Sequence, residues 1–282
     1  MTAFISSKSP VVLVTGCSLG GIGYSLCEAF AAQGCTVYAT SRRLESMTTL
    51  THPSIHCLEM DVTSDSSVRK CVEQIIHEAG RVDLAIANAG IGCYGPVLDV
   101  SVEDVKAAMD TNVLGVLRLA QAVFPHMASR KQGTFMTVAS VSSYMVIPWS
   151  GLYCASKAAA SSLTEALQME ARALSPDIHV TLIVAGGVKT NFPNNSRFQF
   201  PENSLFKSYA PGIKSVIEIP KRDSVMPPSQ FANHIVHAAL SKQGPPQTIS
   251  YGTYSTLFWI LRFLPAWFLH WLLWKLYGKI DS

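Results

Sequence analysis

The amino-acid sequence predicts one α/β domain built on a parallel sheet that helices cover on both faces. Short β-branched runs alternate with longer helical stretches over the first two-thirds of the chain. These runs are apolar almost throughout, as is typical of strands buried on both faces. The chain has 282 residues, of which 48% are hydrophobic and 15% are charged, so one large domain can bury a substantial core.

The elements follow one another in the order expected of a doubly wound, Rossmann-type sheet. VVLVT and TVYAT predict the first two strands, SIHCLEM and VDLAIA the next two, and GTFMTVA and HVTLIVA the two after those. In chain order, the predicted strands are 11–15, 36–40, 55–60, 82–87, 133–139, 179–185 and 247–251. The stretches between them predict helices at 22–33, 65–79, 102–129, 152–174 and 229–240.

Charge and cysteine content exclude several classes of function. Lys and Arg outnumber Asp and Glu by only 22 to 19, which falls short of the basic stripe that nucleic-acid binding requires. The seven cysteines and eight histidines show neither zinc-site spacing nor a disulfide framework, so we expect no metal site and a reducing compartment. The first ten residues lack the basic and apolar regions of a secretory signal.

A glycine-rich turn, TGCSLGGIG at 15–23, lies between the first predicted strand and the first predicted helix. Glycines at 16, 20, 21 and 23 allow a tight turn in which backbone amides at the helix start face a pyrophosphate. This position predicts a dinucleotide cofactor.

The second strand ends in TSRR, where an acidic residue would otherwise meet the ribose of the cofactor. The guanidinium groups of Arg42 and Arg43 suit a 2′-phosphate, because arginine pairs with phosphate through charge-assisted hydrogen bonds. We therefore predict NADPH rather than NADH. The alternative is that both arginines are solvated surface residues.

Several short motifs occur in order along the chain: the glycine turn, DVT at 61–63, NAG at 88–90, TNVLG at 111–115, Ser140, and YCASK at 153–157. This set resembles the short-chain dehydrogenase/reductase superfamily. The resemblance implies a catalytic group of Asn112, Ser140, Tyr153 and Lys157. It implies cofactor contacts from Gly16, Ser18, Gly20, Gly21, Ile22, Gly23, Arg42, Arg43, Asp61, Val62, Asn88, Gly90, Tyr153, Lys157, Val188 and Thr190. It also implies homodimers or homotetramers formed through the two long helices.

Tyr153 and Lys157 are four residues apart, so they share one face of a helix. We expect Tyr153 to protonate a carbonyl oxygen while hydride reaches the carbon, and the ammonium of Lys157 to lower the pKa of the phenol. Ser140, at the end of a strand and thirteen residues before Tyr153, can donate a hydrogen bond to the substrate oxygen, with Ser142 and Ser143 as the nearest alternatives. By family analogy Asn112 holds a water that connects Lys157 to solvent. A Tyr and a Lys at this spacing also occur on many helices by chance.

The alternation of strands and helices stops after Gly187, and a segment rich in Asn, Pro, Phe and Lys runs to about Pro228. We predict an irregular substrate lid at about 189–226, within a dinucleotide-binding catalytic domain at 1–252. Its basic residues are Lys189, Arg197, Lys207, Lys214, Lys221 and Arg222, and its aromatic residues are Phe192, Phe198, Phe200, Phe206 and Tyr209. These side chains suit a hydrophobic substrate with a phosphate or carboxylate head group, or they pack the lid and face water.

The glycine turn, the run SRRLESM and the apolar C-terminus are similar to those of fungal 1-acyldihydroxyacetone-phosphate reductases. This similarity implies reduction of a hydrophobic ketone, with 1-acyldihydroxyacetone phosphate as one substrate. One alternative is a reductase or alcohol dehydrogenase that tailors a polyketide or terpenoid. Another, of a different class, is a non-catalytic NADPH-sensing membrane adaptor.

The C-terminal extension, 253–282, is aromatic and aliphatic but is interrupted by Arg262, Pro265, His270 and Lys275. These residues leave no uninterrupted apolar run long enough for a simple membrane span. We predict peripheral membrane contact, with Arg262, Lys275 and Lys279 meeting anionic lipids. The rim of the substrate entrance and a subunit contact are the alternatives. The expected location is the cytoplasmic face of the endoplasmic reticulum or a lipid droplet, with the cytosol as the alternative.

Overall fold

A computed structural model describes residues 9–192 and 199–278 and shows one parallel sheet of seven strands in the order β3-β2-β1-β4-β5-β6-β7. The strands are β1 (Val11–Thr15), β2 (Thr36–Ser41), β3 (Ile55–Glu59), β4 (Leu84–Ala87), β5 (Gly133–Ser140), β6 (Ile178–Ala185) and β7 (Thr248–Tyr251). The order reverses between β1 and β4, which makes the sheet doubly wound. All seven predicted strands are present, so the predicted fold class is confirmed.

Helices cover both faces of this sheet, as predicted. Those in the described residues are α1 (Ile22–Ala32), α2 (Asp65–Ala79), α3 (Val102–Met109), α4 (Gly115–Arg130), α5 (Gly151–Glu170), α6 (Ala210–Ile217), α7 (Pro228–Ala239), α8 (Ser255–Leu261) and α9 (Ala266–Tyr277). One core cluster joins α1 and α7 to one face of the sheet, around Phe30 and Phe231. A second joins α2, α4 and α5 to the other face, around Leu119 and Phe135.

Local sequence explains where several helices begin and end. The Ser64 hydroxyl accepts a hydrogen bond from the amide of Ser67 and caps α2, which ends at Gly80 with φ of 79°. Ser101 caps α3 in the same way, by accepting from the amide of Asp104. These caps satisfy amides that the helix itself leaves unpaired.

The predicted helix 102–129 is not continuous. Residues Asp110–Leu114 form a π-helical turn between α3 and α4. Such a turn inserts one extra residue into the helix and rotates the side chains on either side of it. The turn holds Asn112 against the loop after β4, where its amide is buried. No local pattern signals this interruption, because every residue in the segment is compatible with an ordinary helix.

The segment after β6 differs from the irregular loop that we predicted. It contains α6, preceded by a turn at Lys207–Tyr209 and followed by a turn at Ile219–Lys221. Ile213 and Val216 are buried on the inner side of α6. Their three-residue spacing is a helical signal that the many Pro and Asn residues around it obscured. Arg197 and Phe198 of the predicted lid, and Lys279, lie outside the described residues.

Candidate active site

The carboxyl ends of the strands open into a cavity of about 540 Å³. In an open parallel sheet this edge, near the reversal of strand order, is where ligands bind. All the site residues predicted from the sequence line the cavity except Gly20, Gly23 and Asn112. The cavity runs from the glycine turn, past Tyr153, to the C-terminal helices, where Tyr277 lines it. We call the end at the glycine turn the nucleotide end and the end at the C-terminal helices the substrate end, after the ligands that the sequence predicts for them.

Two glycines of the turn are required by its geometry. Gly16 has φ of +73°, and a Cβ there would lie 2.7 Å from the Cα of Ala89. A Cβ on Gly23 would lie 2.5 Å from Nδ2 of Asn88 and 2.6 Å from the carbonyl oxygen of Gly16. Gly23 therefore lets α1 start directly against the end of β1. Gly20 instead contacts Asn191, whose amide donates to its carbonyl at 3.1 Å.

The ends of β1 and β4 are fixed to each other by Asn88. Its Nδ2 donates to the carbonyl oxygens of Thr15 at 2.8 Å and Gly16 at 3.1 Å. After β3, one carboxylate oxygen of Asp61 accepts from the amide and the hydroxyl of Thr63, at 2.9 and 2.7 Å. These bonds hold the middle of the cavity wall in one conformation.

Serine hydroxyls accompany the two arginines at the nucleotide end. The hydroxyl oxygens of Ser41 and Ser46 are 2.9 Å apart. The hydroxyl oxygen of Ser18 lies 3.3 Å from that of Ser41 and 3.2 Å from that of Ser46. Arg42 and Arg43 are exposed at the same end of the cavity. This set of cations and hydroxyl donors fits a phosphate group. Sequence reasoning named Ser18 but missed Ser41 and Ser46, although Ser41 directly precedes the arginine pair.

The proposed catalytic side chains converge where the two ends of the cavity meet. Ser140 ends β5, while Tyr153 and Lys157 lie in the first two turns of α5. The hydroxyls of Tyr153 and Ser140 lie near enough to each other for Ser140 to influence the pKa of the phenol, and Ser140 Oγ accepts a hydrogen bond from the amide of Ser142 at 3.2 Å. The Nζ atom of Lys157 donates to the carbonyl of Val138 at 2.9 Å and lies 6.0 Å from the centre of the Tyr153 ring. A Cβ on Gly90 would lie 3.5 Å from the same Nζ atom.

Burial dominates the ionisation of this pair, and one expectation is corrected. We expected Lys157 to lower the pKa of the Tyr153 phenol. In the structure burial raises the pKa of Tyr153 above its usual value, and the nearby hydroxyl of Ser140 opposes that shift only in part. Burial also lowers the pKa of Lys157 to about 8. The phenol is therefore protonated at neutral pH, and Lys157 is still mostly an ammonium.

Asn112 does not line the cavity, but it forms hydrogen bonds with residues next to the proposed catalytic group. Its Nδ2 donates to the carbonyl of Ile91 at 3.0 Å and to the hydroxyl of Ser156 at 2.9 Å, and its Oδ1 accepts from the amide of Ile91 at 2.8 Å. Both amide hydrogens are therefore used, and one lone pair on Oδ1 remains for a water. Asn112 ties the loop after β4 to α5, and its water-holding role stays a prediction.

Aromatic side chains surround Tyr153 on the substrate side. The ring centres of Tyr94 and Phe192 lie 5.4 and 5.7 Å from that of Tyr153. Behind this wall Trp149 packs against Tyr209 and Trp274, at 5.4 and 5.8 Å between ring centres. Sequence reasoning missed Tyr94 and Trp149, which stand in separate loops with no periodic pattern around them.

The described basic residues of the lid do not lie together at the cavity. Lys189 pairs with Asp223, and Lys207 donates to the carbonyl of Glu202. Arg222 lines the cavity, and its guanidinium donates to the carbonyl and hydroxyl of Ser215 at 3.1 and 2.9 Å. Of the basic residues predicted to meet a head group, Arg222 is the one in the described lid that lines the cavity.

The sequence matches those of known proteins from one family. Residues 10–199 match the family model of the short chain dehydrogenase. The short-chain dehydrogenase cctT of Talaromyces islandicus is 34% identical over 90% of both chains. The NADPH-dependent 1-acyldihydroxyacetone phosphate reductase of Schizosaccharomyces pombe is 39% identical over 70% of this chain and 68% of its own.

Solved structures show the same fold. A short-chain dehydrogenase from Streptomyces avermitilis has a TM-score of 0.78 and 26% identity, and the match covers 90% of this chain and 92% of that one. An alcohol dehydrogenase from Thermococcus sibiricus, complexed with 5-hydroxy-NADP, has a TM-score of 0.71 at 22% identity, over 88% of this chain and 98% of that one. The chain is thus a member of the short-chain dehydrogenase family, an oxidoreductase that uses a nicotinamide cofactor and acts on alcohol or ketone groups.

Proposed function

We propose that this protein reduces the ketone of a hydrophobic substrate with NADPH, and that Tyr153 is the general acid. The observation that carries the proposal is that Ser140, Tyr153 and Lys157 line one cavity together, with the Nζ atom of Lys157 6.0 Å from the centre of the Tyr153 ring. This group lies between a nucleotide end lined by arginine and serine and a substrate end lined by aromatic rings.

The residues at the nucleotide end fit NADPH. The glycine turn leaves its backbone accessible because the side chains of residues 16 and 23 are absent where they would clash. Arg42, Arg43 and the hydroxyls of Ser41 and Ser46 suit the 2′-phosphate that NADH lacks. When bound, the reduced nicotinamide supplies a hydride to the carbonyl carbon.

The chain's own residues supply the proton and stabilise the charge that develops. Ser140 and Tyr153 line the same part of the cavity, so that one carbonyl oxygen bound there can accept a hydrogen bond from each hydroxyl. As the carbon accepts hydride, the oxygen takes the Tyr153 proton and the ketone becomes an alcohol. The resulting phenolate is stabilised by the ammonium of Lys157. Burial lowers the pKa of Lys157 to about 8, so this group is mostly charged at neutral pH.

Tyr153→Phe tests this assignment, because the substitution removes the proton and leaves the ring. We expect kcat for ketone reduction to fall by about 10²- to 10⁴-fold, the usual contribution of a general acid. NADPH binding, followed by the change in cofactor fluorescence, should remain. Tyr94→Phe is the matched control, since it removes a neighbouring phenol that the mechanism does not use. Full turnover by Tyr153→Phe would reject the assigned acid.

For the substrate we propose a long-chain ketone with an anionic head group, such as 1-acyldihydroxyacetone phosphate. The named yeast relative and the position of Arg222 on the cavity wall support this choice. Arg222→Met should raise KM for the phosphorylated ketone by about ten- to 100-fold, the value of a charged hydrogen bond, and leave KM for an uncharged long-chain ketone unchanged.

A second candidate is an uncharged ketone of polyketide or terpenoid type. The apolar lining favours it, because Arg222 is the sole cation that the described lid and C-terminal helices contribute to the cavity. The same substitution separates the two candidates. Equal activity of Arg222→Met and the parent protein on both ketones would select the uncharged substrate. For either candidate we propose action at the cytoplasmic face of the endoplasmic reticulum or of a lipid droplet.

A further inference from the structure

Helices α8 and α9 expose apolar side chains on their outer faces. On α9, Trp267 and Trp271 are four residues apart, so they lie on one face of the helix, and both are at least half exposed. Trp267 is 74% exposed, and Phe263, between the helices, is 66% exposed. Large rings at such exposure are unusual in a protein surface that meets only water.

The inner faces of the same helices are firmly packed. Leu273 is buried, and the carbonyl of Tyr277 accepts a hydrogen bond from the indole of Trp149 at 2.9 Å. Tyr254 precedes α8, and Phe258 lies within it; together with Tyr277 they line the active-site cavity. These helices are therefore part of the cavity wall, and their exposed rings lie on the other side of that wall.

The charges beside the exposed rings are positive. Arg262 lies over the ring of Phe263 at 5.1 Å, and the Nζ atom of Lys275 lies over Trp271 at 4.3 Å. Residues 253–278 contain neither Asp nor Glu. A second copy of this face would bring like charges together, whereas anionic lipid head groups complement them. Tryptophan beside Lys or Arg is also typical of helices that lie in a membrane interface.

The helices do not reach across a bilayer. In residues 9–192 and 199–278, none is both long and apolar enough to span one. Pro265 separates α8, of 7 residues, from α9, of 12 residues. Short helices with one apolar outer face suit a position in the plane of the interface.

We propose that the outer faces of α8 and α9 bind the surface of an anionic bilayer and that the substrate enters the cavity from it. The same two helices bind lipid on one side and line the active site on the other. The entry route rests on the proposed function, whereas the bilayer contact does not.

Flotation with vesicles tests the contact. The full chain should bind vesicles of phosphatidylcholine with phosphatidylserine about tenfold or more tightly than phosphatidylcholine alone, since each cation near such a surface contributes about 1 kcal/mol. The double variant Phe263→Ser/Trp267→Ser should lose binding. Met169→Ser is the matched control, because Met169 is 68% exposed at the far end of α5. Arg262→Gln/Lys275→Gln should remove the preference for the anionic vesicles.

Point substitutions are preferable to truncation, because ending the chain near Tyr254 would also remove Phe258 and Tyr277 from the cavity wall. Failure of the parent protein to bind either vesicle would overturn the proposal. A concentration-dependent dimer that Phe263→Ser/Trp267→Ser abolishes, without vesicle binding by the parent, would assign the face to a second copy. Flotation needs no turnover, so it remains informative even if the proposed reduction fails.

The entry route has its own measurement. With a long-chain ketone embedded in anionic vesicles, Phe263→Ser/Trp267→Ser should reduce turnover by about tenfold, in line with its loss of binding. With a short, water-soluble ketone it should match the parent protein, because neither residue lines the cavity. Full turnover of the vesicle-embedded ketone by this variant would overturn the route.

Discussion

The two ends of the cavity are built by different means. At the nucleotide end, Gly16 and Gly23 leave no space for a Cβ, and Asn88 bonds directly to the backbone of β1. At the substrate end, Tyr94 and Phe192 come from loops far apart in the sequence and contact Tyr153 through ring faces and edges. The first end is fixed by backbone geometry, and the second by contacts between side chains.

This difference predicts unequal tolerance to substitution. Backbone atoms cannot move away from a new side chain without shifting a strand or a helix, so the nucleotide end should accept almost no change at its glycines. Rings that pack at about 5 to 6 Å can tilt or be replaced by other apolar groups at modest cost. We therefore expect substitutions at the substrate end to alter substrate preference while cofactor binding is kept.

Gly23→Val should produce the largest effect. The new side chain would overlap Asn88 and the carbonyl of Gly16, so α1 must move away from β1. We expect NADPH affinity to fall by more than about 100-fold and the free energy of unfolding to drop by about 3 kcal/mol or more. Fluorescence titration and urea unfolding measure the two effects.

The control is Gly34→Asn. Gly34 has φ of +79°, but no atom lies within 4 Å of the point that a Cβ would occupy, and asparagine tolerates that backbone conformation. Its cofactor affinity should equal that of the parent. If Gly23→Val also bound NADPH normally, the cavity would not depend on this close packing.

Arg42→Ala/Arg43→Ala should have the next largest effect. Loss of two phosphate partners should raise KM for NADPH by about 10- to 100-fold, because a charged hydrogen bond contributes about 1.5–3 kcal/mol. KM for NADH should stay constant, since NADH has no 2′-phosphate. Arg172→Ala, at another exposed arginine, is the control. An equal rise for both cofactors would place the arginines away from the 2′-phosphate.

The residues that line the nucleotide end were easier to predict from the sequence than those of the substrate end. The reason is again that backbone geometry fixes the first end and side-chain packing the second. Glycines and the residues after each strand are constrained over short stretches of chain, so Gly16 or Arg42 can be identified locally. The contact between Trp149 and Tyr277 joins residues 128 positions apart and follows from tertiary packing alone. The pKa of Tyr153 was also beyond local prediction, because it depends on burial by residues from several elements.

The pH dependence of ketone reduction should follow Lys157. Its pKa is lowered to about 8 by burial, so raising the pH above 8 removes the ammonium that stabilises the phenolate. The rate should be constant from about pH 6 to 7.5 and fall by up to tenfold per unit above about pH 8. Tyr153 remains protonated in this range, because burial raises its pKa.

Cofactor affinity measured over the same pH range is the control for this profile. It separates loss of the ammonium from loss of bound NADPH. A rate that stays level to about pH 10 would mean that Lys157 keeps its charge, as an exposed lysine does. In that case the buried position of Lys157 would not govern catalysis.

Tyr209→Leu should have the smallest effect and tests the substrate end directly. The substitution removes ring contacts with Trp149 and Trp274 behind the cavity wall, each worth about 0.5–1.5 kcal/mol, but keeps an apolar side chain. We expect KM for a long-chain ketone to rise about threefold, with kcat and KM for NADPH unchanged. Tyr209→Phe keeps the ring and should match the parent. A comparable rise in KM for NADPH would show that the two ends are coupled, because packing behind one wall would then alter binding at the other.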